Sequence, residues 1–301
     1  MDNRLITISN GHLKVTFSSL GASIISIYFD DTLMNMVPVN LEELKRNDIY
    51  YGKTIGPISN RVKDGLIKID DKEYHLPMNE EGISNHSGLL GLSNKLFVSK
   101  VLDNRVIFTF NQKIKDINII YGISYTVFND QIRIDYVVRT SDAFMISLTN
   151  HTFFTLGESS LDNLLLKISA SRYIESDRES LLPLEERNIN ESLDFNNEKS
   201  LIKDIDSFKD HKAQGYDHSF FLNDSKEMYL KSPKYRLDII SDYSNVHIYT
   251  DNYSDNVKIV NSNLDKRRGV AIECVDNYLD RPIISKDEVY QRYIIYKFSK
   301  N

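Results

Sequence analysis

Several polar side chains stand in apolar or turn-forming stretches where they are expensive to place, and chemistry is sought there first. His151 lies in Leu148-Thr149-Asn150-His151-Thr152-Phe153-Phe154, among hydroxyls and aromatics at the end of a predicted strand. Imidazole, with an ordinary pKa of about 6.5, suits proton transfer, although a core histidine satisfied by a neighbouring hydroxyl would leave the same pattern. Glu273 interrupts Gly269-Val270-Ala271-Ile272-Glu273-Cys274-Val275. Desolvation there would raise its pKa and make it a stronger base; the other reading is a carboxylate on the solvated face of the strand. Cys274, with no activating base nearby in the sequence, reads as a small buried residue and not as a nucleophile.

Three further segments place polar groups at turns. His86 sits in the loop Ser84-Asn85-His86-Ser87-Gly88-Leu89-Leu90-Gly91, Asp217 and His218 open the apolar run that ends at Phe220-Phe221-Leu222, and Asn60-Arg61 follow Gly56-Pro57-Ile58-Ser59. From these residues alone Arg61 reads as a surface ion-pair partner. His12, His75, His211 and His247 read as surface or structural histidines.

The elements that must position these groups are strands. Period-2 alternation runs from Leu13, Val15 and Phe17 to Val106, Phe108 and Phe110, and a closing strand is predicted over residues 293–298. Ile123, Tyr125 and Val127, then Asn129-Asp130, then Ile132, Ile134 and Tyr136, spell a hairpin whose turn residues tolerate left-handed backbone. A second hairpin is predicted over 65–69 and 73–76, turning at Asp70-Asp71. Helix signals are few: Asn40 with Glu43 predicts a capping box opening a helix over 41–46, and a short helix is expected within 201–212. Residues 175–215, rich in Glu, Asp and Asn, read as a long irregular excursion. No repeat and no composition shift divides the chain, so the expectation is all-β: one domain over residues 1–301, a large antiparallel β-sandwich with a few short helices.

Composition narrows the function classes. The 301 residues hold 37 Lys plus Arg against 43 Asp plus Glu, a formal charge of −6, with no long basic block. That argues against a grip on nucleic acid or an anionic membrane. No apolar run approaches the ~20 residues of a membrane helix and no signal-peptide core follows Met1, so the expected location is cytoplasmic. A single cysteine excludes an intrachain disulfide and cysteine-based zinc or redox motifs. Phosphate-binding glycine loops, Gly-x-Ser-x-Gly and His-Glu-x-x-His are absent, and neither cofactor nor metal is expected. The 18 Tyr and 14 Phe, with no Trp, suit a β-rich core.

Taken in chain order, these motifs resemble the aldose 1-epimerase (galactose mutarotase) family. Asn60-Arg61-Val62 with Gly65 looks like Asn-Arg-Ile-x-x-Gly; His86-Ser87-Gly88 with Gly91 is similar to His-Gly-Gly-x-x-Gly. Asn150-His151-Thr152-Phe153-Phe154 resembles Asn-His-Thr-Tyr-Phe, Gly215-Tyr216-Asp217-His218 matches Gly-Tyr-Asp-His, and Ile272-Glu273 fits a Leu-Glu pair. The departures are Pro57 for an Arg, Ser87 for a Gly, Val275-Asp276 where a Gln follows Glu-Thr, and Pro183-Leu184-Glu185 for Pro-Thr-Gly.

The resemblance implies the mutarotase-like sandwich fold and interconversion of the α and β anomers of a free aldohexose such as galactose or glucose. It implies Glu273 as general base, His151 as general acid and His86 as its helper, with Asn60, Arg61 and Asp217 holding sugar hydroxyls. The implied partner is a small monosaccharide, and the chain is expected as a monomer or homodimer. Two other readings stay open at this point, a noncatalytic sugar-binding protein of the same fold and a hexose-6-phosphate 1-epimerase. Against the second, the chain has His86-Ser87-Gly88-Leu89-Leu90 where such relatives carry His-Gly-Phe-Ala-Arg, so a phosphate-binding Arg is missing.

Overall fold

In the computed structural model, which describes residues 2–301, the alternating segments become strands and every strand ladder is antiparallel. Two extensive sheets dominate. The first has nine strands, in the order Val98–Leu102, Arg105–Ile114, Ile117–Phe128, Gln131–Thr140, Tyr290–Lys300, Tyr235–Ser241, Met228–Lys231, Leu165–Ile168 and Lys199–Ser200. The second has six: Phe153–Phe154, Val270–Val275, Asn245–Tyr249, Asp217–Leu222, Ala170–Ser176 and Pro183–Asn188. A four-stranded sheet begins the chain with Leu5–Asn10, Leu13–Ser18, Ser23–Phe29 and Thr32–Leu33. The protein is an all-β sandwich with short helices.

The two large sheets share one apolar core, because alternate residues of each strand turn the same way. Tyr121, Ile123, Tyr125, Ile134, Tyr136, Ile294 and Tyr296 of the larger sheet join Val246, Ile248, Val270, Ile272 and Cys274 of the smaller in a single buried cluster. A buried tyrosine hydroxyl needs a partner. Tyr125 Oη donates to the Ala22 carbonyl at 2.6 Å, and Tyr243 Oη to the Leu148 carbonyl at 2.7 Å. Cys274 is fully buried and burial pushes its thiol up to about 12, which fits a packing residue and not a thiolate nucleophile.

The expected hairpins form. Ile123 faces Tyr136 and Val127 faces Ile132, and both turn residues, Asn129 and Asp130, have positive φ. Leu66–Ile69 pairs with Lys72–His75 across Asp70, also at positive φ. The closing strand is longer than expected, Tyr290–Lys300, because it is paired on both sides.

The helices are smaller than predicted. Leu41–Lys45 is a short 3₁₀ helix in which the Asn40 side chain accepts from the Glu42 amide, while the Glu43 carboxylate pairs with Arg46 instead of reaching back to close a capping box. Within 201–212 only Ile205–Phe208 is helical, a short 3₁₀ turn whose Ile205 and Phe208 are buried. The excursion is irregular but not structureless: Pro183–Asn188 adds an edge strand to Ala170–Ser176, with a register shift at Glu175/Ser176.

Candidate active site

The outer face of the six-stranded sheet is where polar residues collect. Along Val270–Val275 the residues Val270, Ile272 and Cys274 enter the sandwich core, so Ala271, Glu273 and Val275 must face outward. Strand register then assembles the floor. Glu273 lies opposite His247, and His247 opposite Ser219; in the next row Phe153 faces Ala271, Ala271 faces Tyr249, and Tyr249 faces Asp217. The same pleat separates Asp217 from its neighbour: His218 turns to the other face and packs on Phe208, ring centroids 4.5 Å apart.

Two loops wall this floor. The first holds His151, whose backbone exchanges hydrogen bonds with a neighbouring segment: the His151 amide donates to the Lys53 carbonyl, and the Gly52 amide to the His151 carbonyl, both at 2.9 Å. The Asn150 side chain fixes the bend, donating to the Gly52 carbonyl at 3.0 Å and accepting from the Thr152 hydroxyl at 2.6 Å.

The second wall joins Asn60-Arg61 to His86. Asn60 and His86 both adopt positive φ, where asparagine and histidine are tolerated better than most residues. The His86 amide donates to the Asn60 carbonyl and the Asn60 amide donates to His86 Nδ1, each at 3.2 Å. Nδ1 is therefore an acceptor, and in the neutral ring the proton sits on Nε2 as a donor. Ser87, the departure from glycine, forms two hydrogen bonds with Ile58, accepting from its amide and donating to its carbonyl at 3.0 Å.

Together these walls enclose a cavity of about 340 Å³ lined by all of Asn60, Arg61, His86, His151, Asp217 and Glu273. Its size falls in the range of small-molecule sites. His151 Nε2 is 3.5 Å from Glu273 Oε1. The His151 ring is 5.6 Å from His86 and 5.0 Å from Phe153, and the Tyr50 ring packs on both histidines. Arg61 is mostly buried and bridges two carboxylates, Asp217 Oδ2 at 3.5 Å and Glu80 Oε2 at 3.4 Å, so it is no surface ion pair.

A family profile for aldose 1-epimerase matches residues 4–295. The chain belongs to the aldose 1-epimerase family. Human galactose mutarotase is 28% identical over 266 residues, covering 81% of this chain and 76% of that protein. The aldose 1-epimerase of Haemophilus influenzae is 25% identical over 270 residues, covering 83% and 79%. Two crystal structures share the fold: an aldose epimerase homologue from C. elegans, with TM-score 0.88, 21% identity and 99% of each chain covered, and galactose 1-epimerase from Lactobacillus acidophilus, with TM-score 0.85, 21% identity and 100% and 99% covered.

The electrostatics of this aldose 1-epimerase family site divide Glu273 from Asp217. Burial pushes the Glu273 carboxyl well above the usual range, the Asp217 charge adds to the shift and Arg61 opposes it. Asp217 is buried too, yet the Arg61 guanidinium and a hydrogen bond from His247 overcome desolvation and hold it below the usual range. One carboxylate is kept charged and the other pushed toward neutrality, the pattern that separates a binding group from a proton-transfer group. Burial also lowers His151 to about 3, and lowers His86 with His151 as the next cause. Burial thus favours a neutral His151 beside a protonated Glu273. Among the described residues, no three His, Cys, Asp or Glu side chains are grouped as metal ligands.

His247, expected to be a surface or structural histidine, is not at the surface: it is 6% exposed, lines the cavity and bonds Asp217 Oδ1 at 2.7 Å. The signal was present, since Val246-His247-Ile248 places a polar residue between two core positions as Ile272-Glu273-Cys274 does. Glu80, Tyr50 and Tyr249 also line the site, and only distant pairing brings them there. His12 and His75 are exposed, as expected.

His218 has a separate consequence. Its Nδ1 accepts from the Asp217 amide at 3.1 Å and burial lowers its pKa to about 3. A histidine depressed in the folded state contributes stability that is complete above about pH 6.5 and is lost as pH falls toward its folded pKa. His218→Asn keeps an acceptor for that amide but cannot be protonated. Urea unfolding between about pH 4 and 6 should then show a pH slope of stability shallower by about 1.4 kcal/mol per unit than wild type. An unchanged slope would contradict the buried neutral imidazole.

Proposed function

We propose that this protein interconverts the α and β anomers of a free aldohexose, of the galactose or glucose class, by acid/base ring opening and reclosure. The observation that carries the reading is the Glu273–His151 contact at 3.5 Å inside a cavity lined by polar and aromatic side chains. A protein that only bound a sugar would need no buried proton-exchanging pair at its floor.

In the forward step the Glu273 carboxylate takes the proton from the anomeric O1 hydroxyl, the electron pair forms the C1=O bond, and the C1–O5 bond breaks. The proton that O5 then requires comes from His151, with the His86 Nε2–H donating to the ring oxygen or an adjacent hydroxyl. This leaves a protonated Glu273 and a neutral His151, the forms that burial favours. The charge-separated pair is discharged as the ring opens, so low dielectric works in the direction of the reaction. The aldehyde turns by about half a rotation about C1–C2, and closure from its other face reverses both proton transfers, as microscopic reversibility requires. Arg61 and Asp217 hold the remaining hydroxyls by charge-assisted hydrogen bonds, with Asn60 in support.

Polarimetry of freshly dissolved α-galactose and α-glucose tests the reading. Purified protein should speed the approach to anomeric equilibrium in proportion to its concentration. A folded sample that accelerates equilibration of none of the common aldoses would sink it.

A further inference from the structure

His247 is the buried ring at the cavity floor that the reaction steps leave unused. Nε2 lies 2.7 Å from Asp217 Oδ1, and both side chains are less than a tenth exposed. Nδ1 is buried and has no hydrogen-bond partner. A histidine serving only as core filler would be expected to satisfy both nitrogens. The other oxygen of Asp217, Oδ2, is 3.5 Å from an Arg61 terminal nitrogen, too long for a good hydrogen bond. One oxygen of the carboxylate is therefore engaged and the other keeps acceptor capacity.

We propose that His247 is a positioning residue that makes Asp217 a one-sided reader of a single sugar hydroxyl. By engaging Oδ1 it prevents the carboxylate from rotating to close a two-pronged ion pair with Arg61. Oδ2 and the Arg61 terminal nitrogen are left side by side at 3.5 Å on the cavity wall. A hydroxyl approaching from the cavity meets both better than any other sugar group because it donates and accepts at once, giving its proton to Oδ2 and its lone pair to the Arg61 N–H. His247 thus fixes which hydroxyl direction is recognised, while Glu273 beside it on the next strand handles the anomeric proton. The inference rests on the proposed sugar-binding reading and deepens it.

His247→Leu and His247→Gln are the informative variants, because the Gln amide nitrogen can take the place of Nε2. Galactose and its monodeoxy analogues serve as probes, measured both as Kd by calorimetry and as KM by polarimetry. Loss of a charge-assisted hydrogen bond predicts that His247→Leu weakens galactose by about tenfold or more, in KM rather than kcat, and that His247→Gln recovers most of the loss. One monodeoxy sugar should cost wild type about as much as the Leu substitution costs with galactose, and the two losses should not add. Equal weakening of every analogue, or an unchanged KM and Kd in His247→Leu, overturns the proposal. A wild-type protein that binds galactose without turning it over would instead overturn the epimerase reading, and the Kd comparison would still decide the role of His247.

Discussion

Glu273→Gln is expected to lower kcat by roughly 10²–10⁴-fold, the usual contribution of a positioned general base, with little change in KM. The substitution keeps shape and removes only the ability to take a proton. Its effect on stability has a definite sign. A carboxyl raised by burial is bound to its proton more tightly in the folded state than in the unfolded chain, so its contribution to stability is complete below the unfolded pKa and is lost as pH rises through the folded pKa. Glutamine does not titrate, and Glu273→Gln should gain stability relative to wild type as pH rises. Rate by polarimetry and melting temperature at mildly acidic and mildly alkaline pH measure both. A folded variant with near wild-type kcat would remove Glu273 from the chemistry, and a variant less stable than wild type at alkaline pH would show that the site holds a carboxylate by contacts not described above.

The sandwich and much of the site were legible in the sequence because both depend on the pleat. Alternation located Ile123 to Val127 and Ile132 to Tyr136 and fixed their facing, and the same rule marked Glu273 as a polar residue between two core positions. The rule also held the means to separate Asp217 from His218 and to find His247, but those needed a decision about which face was buried, and short apolar runs with no solvated face leave it open. Pairing between distant segments was out of reach. Nothing local says that the Asn60 amide will meet His86 Nδ1, or that Arg61 will lie between Glu80 and Asp217. The helices over 41–46 and 201–212 were overestimated: local caps and propensity were present, yet each segment forms only a short 3₁₀ turn, Leu41–Lys45 and Ile205–Phe208.

The cavity rim has its own support. Arg268, 1% exposed, donates to Asp251 through two nitrogens at 2.7 and 3.0 Å, to Asp255 at 3.2 Å, to the Val257 carbonyl at 2.7 Å and to Tyr51 Oη at 2.8 Å. Those partners belong to the two segments that contribute Tyr50, Tyr51, Asp251 and Tyr253 to the cavity. A rim tied by a buried ion network holds the cavity open while Glu273 Oε2 and His151 Nδ1 remain without protein partners at its floor.

His151→Asn is the second large effect, and its value lies in the pairing with Glu273. Asparagine cannot hold a transferable proton, so kcat should again fall by roughly 10²–10⁴-fold, with the Asn side chain leaving the backbone exchange with Gly52 and Lys53 intact. If acid and base acted independently, the double variant would lose the product of the two factors. The two groups lie 3.5 Å apart and serve one ring-opening event, Glu273 taking the O1 proton and His151 supplying the O5 proton, so removing either disables the same step. The double variant Glu273→Gln with His151→Asn should therefore be no more than about threefold slower than the slower single variant, as for catalytic groups that act as a unit. Rates are followed by polarimetry at high enzyme concentration, with spontaneous mutarotation in buffer subtracted as the floor. Multiplicative losses would mean that His151 and Glu273 serve separate steps, and a His151→Asn enzyme at near wild-type rate would pass the role of acid to His86, whose Nε2–H also lines the cavity.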